Sequence, residues 1–369
     1  MKNNINIFLD YIEDNRKSME IYADSLYSHI PKINSLNVGI YRPKKSYYNK
    51  FIPNICNIST RVSRYIDYPL KTLPYKNDFN HIIDHSYSHL VQLLDPERCI
   101  VTVHDLIPIL AWNGFIPSMK LNHRPLLFEY SCFFLKKVKK IIAVSQSTKN
   151  DLINQLDISE DKIQVIHNGV HNYFRPLLNK EEIKNNNNLF RDEYFNILII
   201  GNSDYKNNKT AFEVVEILEK GYHLKIQLLC LGNDYDAFKL ISSQHKLSTK
   251  PRFFCDLSSE SVVELYNSSD CLFFPSLYEG FGFPPLEAMS CGVPVVSSNV
   301  ASLPEIVGNA GLLADPCDKD AFVFHIYNVL TNNELKSDLI KKGLEKSSSF
   351  SWQKAATSTL ELYKNTWDI

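Results

Sequence analysis

Short apolar runs alternate along most of the chain with longer stretches in which apolar residues recur at helical spacing. Runs such as Cys99–Val103 and Cys271–Phe274 carry almost no polar residue, which is typical of strands buried on both faces. Amphipathic stretches such as Leu121–Lys137, Ser147–Leu156 and Asn208–Lys220 separate them. Short buried strands that alternate with helices predict parallel sheets with helices packed on both faces.

The apolar runs fall into two series, which predicts two doubly wound α/β domains. The predicted strands are Ile5–Leu9, Leu36–Tyr41, His81–Asp84, Cys99–Val103, Lys140–Val144, Gln164–Ile166, Asn196–Gly201, Leu224–Leu231, Arg252–Phe254, Cys271–Phe274 and Pro294–Ser297. The turn signal His167–Gly169 and the polar run Lys184–Asn188 mark the boundary, so we predict domains over residues 1–172 and 173–350. Ligands bind beyond the carboxyl ends of parallel strands, which predicts a reaction site in the cleft between the domains.

Composition excludes several classes of protein. The chain has 369 residues, 44% of them hydrophobic, and a formal net charge of −1, which argues against a disordered chain and a dedicated nucleic-acid binder. Residues 1–175 hold 22 basic and 16 acidic side chains, whereas the remaining residues hold 18 basic and 25 acidic side chains. This difference in charge fits two domains that bind different partners, but charged residues on solvent-exposed faces would produce it as well. None of the 8 cysteines has a metal-ligand spacing, and no apolar run approaches the roughly 20 residues of a membrane span. We expect a cytoplasmic protein, at most peripheral to the inner face of the plasma membrane.

The segment Tyr278–Gly292, YEGFGFPPLEAMSCG, carries the strongest chemical signal. Glycines in its first half allow a close backbone approach to a ligand, and the two prolines that follow favour a helix start, where anions bind. Glu279 and Glu287 flank that start, and a carboxylate repels a phosphate. We therefore expect both to accept hydrogen bonds from hydroxyl groups, as in a ligand with a sugar, a diphosphate and a ribose. The alternative is a helix whose first turn simply favours acidic residues.

The same segment resembles the E-x7-E signature of the family 4 retaining glycosyltransferases, which have the GT-B fold of two Rossmann-like domains. The other segments that carry this resemblance are Val103–Leu106 (VHDL), Ala143–Leu152 (AVSQSTKNDL), Val165–Val170 (VIHNGV), Lys206-Asn207, Ala301–Pro316 (ASLPEIVGNAGLLADP) and Phe350–Ala356 (FSWQKAA). The resemblance spans nearly the whole chain. It implies that residues 351–369 form a C-terminal helix that packs back towards the first domain.

Donor-side roles follow from the resemblance. Glu279 should contact hydroxyls of the transferred sugar, Glu287 the ribose hydroxyls of the nucleotide, and Lys206 the diphosphate. Asn202 stands where family members often carry an arginine, and Lys209 is a candidate to compensate or a solvated side chain. The remaining donor-binding candidates, which contact the ligand largely through backbone, are Gly280, Phe281, Gly282 and Phe283 at the diphosphate and Phe254 at the nucleobase.

His104 ends an apolar strand of the first domain, where an imidazole can donate to a sugar hydroxyl or stabilise developing charge. The matching family position contacts the donor sugar, so the resemblance implies a catalytic role over a merely structural one. The next residue, Asp105, is an N-cap or an acceptor-side contact. Arg16 and Lys17 follow the first strand and could face a phosphorylated or lipid-diphosphate acceptor or simply solvent, and His85 is a further acceptor-side candidate.

Asp234 and Asp236 form a D-x-D, which binds a divalent metal in GT-A glycosyltransferases. Here the first aspartate follows a strand and a Gly-Asn turn, where aspartate usually caps a helix. GT-B enzymes generally use a lysine and a helix dipole in place of a metal. We therefore expect no metal and no cofactor, with a nucleoside-diphosphate sugar as the donor substrate.

The sequence thus predicts a metal-independent retaining enzyme that transfers a hexose, mannose or similar, to a saccharide or lipid-linked acceptor in surface polysaccharide biosynthesis. A nucleotide-sugar epimerase of the same fold and a catalytically inactive nucleotide- or carbohydrate-binding protein are the alternatives. The lysines of Leu135–Lys140 (LKKVKK) either contact an anionic bilayer or line a solvated helix face.

Overall fold

The computed structural model describes residues 3–14, 16–30, 36–44, 60–116, 119–177 and 193–369. The chain divides into two units. The first unit comprises Met1–Phe115, Lys120–Gly169 and Trp352–Ile369, and the second comprises Ile116–Met119 and Val170–Ser351. The polar run Lys184–Asn188 and the side chain of Lys17 lie outside the described residues.

The first unit contains a parallel sheet of six strands in the order β2-β1-β3-β4-β5-β6. Its strands are β1 (Asn3–Phe8), β2 (Leu36–Tyr41), β3 (Phe79–Ile82), β4 (Cys99–Val103), β5 (Lys140–Ala143) and β6 (Ile163–Val165). Every residue of β4 is buried, as its continuous apolar sequence predicts.

Helices of this unit follow the strands. They are α1 (Lys17–His29), α2 (Tyr68–Thr72), α3 (Ile107–Trp112), α4 (Leu126–Phe133) and α5 (Gln146–Leu156), with a 3₁₀ helix over His85–Gln92. Both ends of helix α5 are capped. At its start Ser145 accepts a hydrogen bond from the Thr148 N–H, and at its C-terminal end Asp157 adopts the left-handed conformation.

The second unit contains a second parallel sheet of six strands in the order β12-β11-β10-β7-β8-β9. Its strands are β7 (Phe195–Ile200), β8 (Ile226–Leu231), β9 (Arg252–Phe254), β10 (Cys271–Phe274), β11 (Val295–Ser298) and β12 (Leu312–Ala314). Its helices are α6 (Asn208–Tyr222), α7 (Tyr235–Ser242), α8 (Ser259–Asn267), α9 (Phe283–Ser290), α10 (Leu303–Val307), α11 (Lys319–Thr331) and α12 (Asn333–Ser348). Phe212, Phe273 and Phe322 lie in the core formed between this sheet and its helices.

The last helix, α13 (Trp352–Trp367), belongs to the first unit. Tyr363 on this helix lies 2.6 Å through its hydroxyl from His81 Nδ1 on β3, and the other ring nitrogen of His81 lies 2.7 Å from Thr102 Oγ1. Burial lowers the pKa of His81 to about 3, so the imidazole is neutral and both contacts are hydrogen bonds between uncharged groups. Trp352 packs edge-on against Tyr22 of α1 with ring centroids 5.9 Å apart. The helix therefore completes the first unit, as the resemblance implied.

The predicted class of two doubly wound α/β domains is confirmed, and two details were wrong. The helical pattern Leu121–Lys137 becomes a helix only from Leu126, because Pro125 fixes the backbone before it, and a 3₁₀ turn follows from Phe134. Strand β12 (Leu312–Ala314) was not predicted; it lies in the segment Ala301–Pro316, which carried the resemblance but was assigned no strand. Among the described residues, no helix has the length and apolar character that a membrane crossing requires.

Candidate active site

Lys206 and Glu279 meet at the carboxyl edge of the second sheet. Lys206 follows β7 and Glu279 follows the neighbouring strand β10, and the Lys206 Nζ lies 2.6 Å from Glu279 Oε1. Both side chains are largely withdrawn from solvent, with 12% and 10% of their surfaces exposed. The lysine ammonium also lies 4.7 Å from the centroid of the Phe274 ring. The pair therefore presents one cation and one carboxylate, side by side, to any ligand at this edge.

Gly201 makes room for the lysine. Its φ of +90° lies in the left-handed region, and a Cβ at this position would lie 2.7 Å from Lys206 Cε. Asn207, also left-handed, donates from its side-chain amide to the carbonyl oxygens of Pro275 and Pro316, both at 3.1 Å. Lys206 and Asn207 thus have different contacts: the lysine pairs with Glu279, and the asparagine anchors the turn that carries the lysine.

Ser302 holds the loop that carries Glu279. Its Oγ lies 2.9 Å from the carbonyl oxygen of Glu279 and 2.7 Å from that of Phe281. Sequence reasoning missed this residue, although it lies inside the segment Ala301–Pro316 that carries the resemblance. A serine preceding a short helix was the available signal.

Gly282 begins helix α9 with a φ of +110°, a backbone conformation that favours glycine. Phe281 is buried, and its ring packs edge-on against that of Phe283 with centroids 5.2 Å apart. Pro284 and Pro285 have no N–H. Of the first three helix positions, only Phe283 therefore has an N–H that could face an anion.

Glu287 lies on α9, where Tyr266 of α8 donates a hydrogen bond from its hydroxyl to Glu287 Oε2 at 2.7 Å. Burial raises the pKa of Glu287 to about 7, although the Tyr266 hydrogen bond lowers it in part. Near neutral pH this carboxyl group is therefore divided between its protonated and ionised forms. Tyr266 is a second residue that sequence reasoning missed, since nothing in its local sequence distinguishes it from a core tyrosine.

The other donor-side candidates make contacts with residues other than Lys206 and Glu279. Asn202 donates from its side-chain amide to the Asp234 carbonyl at 3.4 Å, and the carbonyl of Phe254 accepts from the Gly232 N–H at 3.0 Å. Asp234 caps α7 by accepting from two backbone N–H groups, as expected for an aspartate in that place. Lys209 is 72% exposed and lies 3.9 Å from Glu213 on the next turn of α6, so the described structure does not bring it to Lys206.

His104 of the first unit uses one ring nitrogen internally. Its Nε2 lies 2.8 Å from the Ile83 carbonyl oxygen, and a carbonyl can only accept, so Nε2 carries the proton. Burial lowers the pKa of His104, which keeps the ring neutral. Nδ1 then has only a lone pair, and it makes no hydrogen bond within the described part of the chain. His104 can therefore accept from a sugar hydroxyl through Nδ1, whereas the sequence suggested that it donates.

Asp105 and His85 lie next to His104. The Asp105 carboxylate accepts from the Ile107 N–H at 3.0 Å, a capping contact at the start of α3. His85 is buried, with Nδ1 3.4 Å from the His104 backbone nitrogen. Burial lowers the pKa of His85 to about 3, so it adds no charge to this edge of the sheet.

Arg16 does not present a free cation to an anionic acceptor. Its guanidinium forms an ion pair with Asp84 and donates to Ser86 Oγ at 2.7 Å. Asp84 follows β3, beside the strand that Arg16 follows. The sequence could not show this pairing, because the two residues are 68 positions apart.

Comparison with known proteins agrees with this architecture. Residues 57–172 match the model described as Glycosyltransferase Family 4, and residues 179–346 match that of Glycosyl transferases group 1. The chain is 30% identical over 274 residues to O-antigen chain mannosyltransferase B of Escherichia coli, covering 73% of this chain and 70% of that protein. The chain belongs to glycosyltransferase family 4. The family assignment predicted from the sequence is confirmed, and the protein is a glycosyltransferase.

Two further comparisons define the extent of the match. The serotype-specific mannosyltransferase WbdA of Escherichia coli is 27% identical over 279 residues, which cover 72% of this chain but only 33% of that longer protein. Sucrose-phosphate synthase from Thermosynechococcus elongatus superimposes with a TM-score of 0.78 at 18% identity, over 100% of both chains. This likeness shows the GT-B fold, as predicted. The glycosyltransferase relatives do not favour the epimerase or the inactive binding protein.

Proposed function

We propose that this family 4 glycosyltransferase transfers a hexosyl group, mannosyl or similar, from a nucleoside-diphosphate sugar to a saccharide or lipid-linked acceptor in surface polysaccharide biosynthesis. The observation that carries the proposal is the pair formed by Lys206 and Glu279, 2.6 Å apart beside the glycine-led start of α9. A diphosphate next to a sugar needs both a cation and a hydroxyl acceptor, and this edge offers the two together. The O-antigen mannosyltransferase among the relatives supports the sugar and the pathway class.

Lys206, Glu279 and Glu287 of the second unit have different roles in this proposal. Lys206 neutralises the charge that develops on the departing diphosphate, so it lowers the barrier more than it strengthens ground-state binding. Glu279 accepts from a hydroxyl of the transferred sugar, and Glu287 accepts from the ribose. These contacts place the anomeric carbon, and positioning of this kind supplies a large part of the rate.

We assign transfer with retention and without a metal. A retaining reaction needs a carboxylate nucleophile or attack from the face that the leaving group vacates. Glu279 is ion-paired with Lys206, which suits hydroxyl binding better than nucleophilic attack. Front-face attack, with the leaving phosphate accepting the acceptor proton, fits the residues present, and Lys206 takes the role that a cation has in metal-dependent enzymes.

A panel of GDP-, UDP- and ADP-sugars tested with mannose-containing acceptors examines the activity directly. We expect transfer from one donor, resistance to EDTA, and a product whose anomeric configuration, read by NMR, matches that of the donor. Abolition by EDTA with rescue by Mn²⁺ would overturn metal independence, and an inverted product would overturn retention.

Glu279→Gln separates the roles further. Removing the carboxylate takes away the negative charge 2.6 Å from Lys206 Nζ, so affinity for the bare nucleoside diphosphate should rise while transfer falls at least tenfold. Glu213→Gln removes the surface partner of Lys209 and is the matched control, for which we expect wild-type values. Loss of nucleotide affinity in Glu279→Gln would contradict the assigned contact.

A peripheral membrane contact on the first unit is part of the proposal. The exposed side of α4 carries Leu126, Leu127, Tyr130 and Phe133, with exposed fractions between 42% and 63%. Lys137 lies 4.9 Å from the Phe133 ring centroid and adds positive charge beside this apolar side. Apolar side chains next to cations fit an anionic bilayer surface.

The lysines of Leu135–Lys140 are not equally suited to this contact. Lys139 pairs with Glu97 at 2.7 Å, and Lys140 donates to the Asp161 carbonyl. We therefore expect Phe133→Ser to weaken sedimentation with phosphatidylglycerol vesicles several-fold. Leu240→Ser, which changes a leucine of the second unit that is 64% exposed against 56% for Phe133, should not weaken it. Equal sedimentation of both variants and of the wild type would refute the contact.

A further inference from the structure

A cavity of about 770 Å³ lies at the outer edge of the second sheet. Strand β9 is the last strand in the order of that sheet, and helix α7 packs beside it, so an edge strand and a helix bound the cavity. Lys206, Glu279 and Glu287 do not line it, whereas Phe254 does so at the carboxyl end of β9. A volume of this size is within the range of small-molecule binding sites.

Helix α7 contributes one of its faces to the cavity. The residues that line it from this side lie four, seven and eight positions after the first, which places them together on the helix: Tyr235, Lys239, Ser242 and Ser243. The Lys239 Nζ lies 4.2 Å from the Tyr235 ring centroid, and the same ring packs edge-on against Phe253 of β9 with centroids 5.2 Å apart. The cavity wall therefore combines an aromatic surface with a cation that lies against it.

Three basic side chains line the cavity, and none of the residues that line it is acidic. Lys250 and Arg252, before and within β9, join Lys239 of the helix. Neither lysine forms an ion pair within the part of the chain that the structure describes. Residues 176–369 hold 18 basic and 25 acidic side chains, so the charge of the cavity is opposite in sign to that of its domain. A cavity of this kind attracts an anion.

We propose that this cavity binds an anionic saccharide, a sugar that carries a phosphate or carboxylate group. The three cations match the anion, and the rings of Tyr235 and Phe253 offer apolar surface to one face of a sugar ring. The hydroxyls of Tyr235 and Ser242 can both donate to and accept from sugar hydroxyls. A free sugar phosphate and a charged sugar within a glycan present the same chemistry, and ligands of different length distinguish them. The site goes beyond the proposed function and does not depend on it.

Calorimetric titration of the full chain with mannose 6-phosphate at low ionic strength tests the site. For the wild type we expect binding at least tenfold tighter than that of mannose, and weaker in added salt, because the attraction acts between solvent-accessible charges. Lys239→Gln combined with Lys250→Gln should weaken mannose 6-phosphate binding about tenfold, and Tyr235→Leu should weaken it several-fold. Lys246→Gln is the matched control, since Lys246 is exposed between α7 and β9 but does not line the cavity, and it should stay within about twofold of wild type.

The nucleoside diphosphate should bind all these variants as it binds the wild type, and it should not displace mannose 6-phosphate. Thermal unfolding checks that each variant folds. Tighter binding of an oligomannoside with a terminal phosphate would assign the cavity to a glycan chain, and equal binding would assign it to a free sugar phosphate. Four results would overturn the site: equal affinity for mannose and mannose 6-phosphate, no binding of mannose 6-phosphate, its displacement by the nucleoside diphosphate, or a loss in Lys246→Gln as large as that in the double variant.

Discussion

The ionisation of Glu287 makes a quantitative prediction about nucleotide binding. Its pKa is raised to about 7, so roughly a tenth of these side chains are ionised at pH 6 and roughly nine-tenths at pH 8. A ribose hydroxyl donates more strongly to a carboxylate than to a neutral carboxyl group. If Glu287 binds the ribose as a carboxylate, affinity should rise about tenfold between pH 6 and pH 8 through this residue alone.

The assay is a set of calorimetric titrations with the nucleoside diphosphate that stabilises the protein most, at pH 6, 7 and 8. The phosphate of the ligand also ionises in this range, so Glu287→Gln serves as the reference: the ligand's own titration is common to both proteins and cancels in the ratio of their affinities. We expect that ratio, wild type over variant, to increase about tenfold with pH.

Tyr266→Phe tests the cause of the shift. The Tyr266 hydroxyl donates to Glu287 at 2.7 Å and lowers its pKa, so its removal should raise the pKa and move the midpoint of the affinity curve to higher pH. An affinity ratio that does not change between pH 6 and pH 8 would refute the reasoning, because Glu287 would then either be fully ionised throughout or make no contact with the ribose.

Three other substitutions test the site. The pKa of Glu287 is raised to about 7 in the folded protein, so ionisation of this side chain destabilises the fold as pH rises from about 4.5 through 7. Glu287→Gln removes that ionisation. In urea denaturation it should therefore raise the free energy of unfolding by up to roughly 3 kcal/mol at pH 8 and leave it unchanged at pH 4. Gly201→Ala should lower kcat at least tenfold by displacing Lys206, whereas Gly221→Ala, whose Cβ meets no atom within 4 Å, should match wild type. His104→Ala should lower kcat about tenfold with little change in nucleoside-diphosphate affinity, because it removes the Nδ1 acceptor proposed for a hydroxyl of the transferred sugar, and equal losses in both would place His104 on the nucleotide.

The fold was predictable because burial on both faces leaves a plain signal in the sequence. Strands such as β4 and β10 consist almost entirely of apolar residues, so their existence and their parallel arrangement follow from composition alone. Where a proline delays the start of a helix, as at Pro125, this signal fails, because the boundary depends on one residue rather than on a period.

The chemistry of single side chains was less predictable, because it depends on partners distant in sequence. Helical spacing suggested that Lys209 could compensate for Asn202, but the lysine lies beside Glu213 instead. Arg16 was a candidate for a phosphate until the neighbouring strand placed Asp84 against it. For His104, which stays a predicted site residue, only the Ile83 carbonyl shows which ring nitrogen carries the proton.

The Lys206–Glu279 pair also bears on the kind of ligand that this edge selects. A diphosphate alone gains the attraction of the lysine but meets the carboxylate beside it, so the two effects partly cancel. On the proposed assignment, hydroxyls of a nucleotide sugar donate to Glu279, so the carboxylate that opposes binding of the bare diphosphate favours binding of the intact donor. Such a pair favours the intact donor over the product diphosphate, which both commits the donor to the site and helps the product to leave. Because Lys206 and Glu279 already lie 2.6 Å apart with 12% and 10% of their surfaces exposed, we expect this selection to be present before the donor arrives.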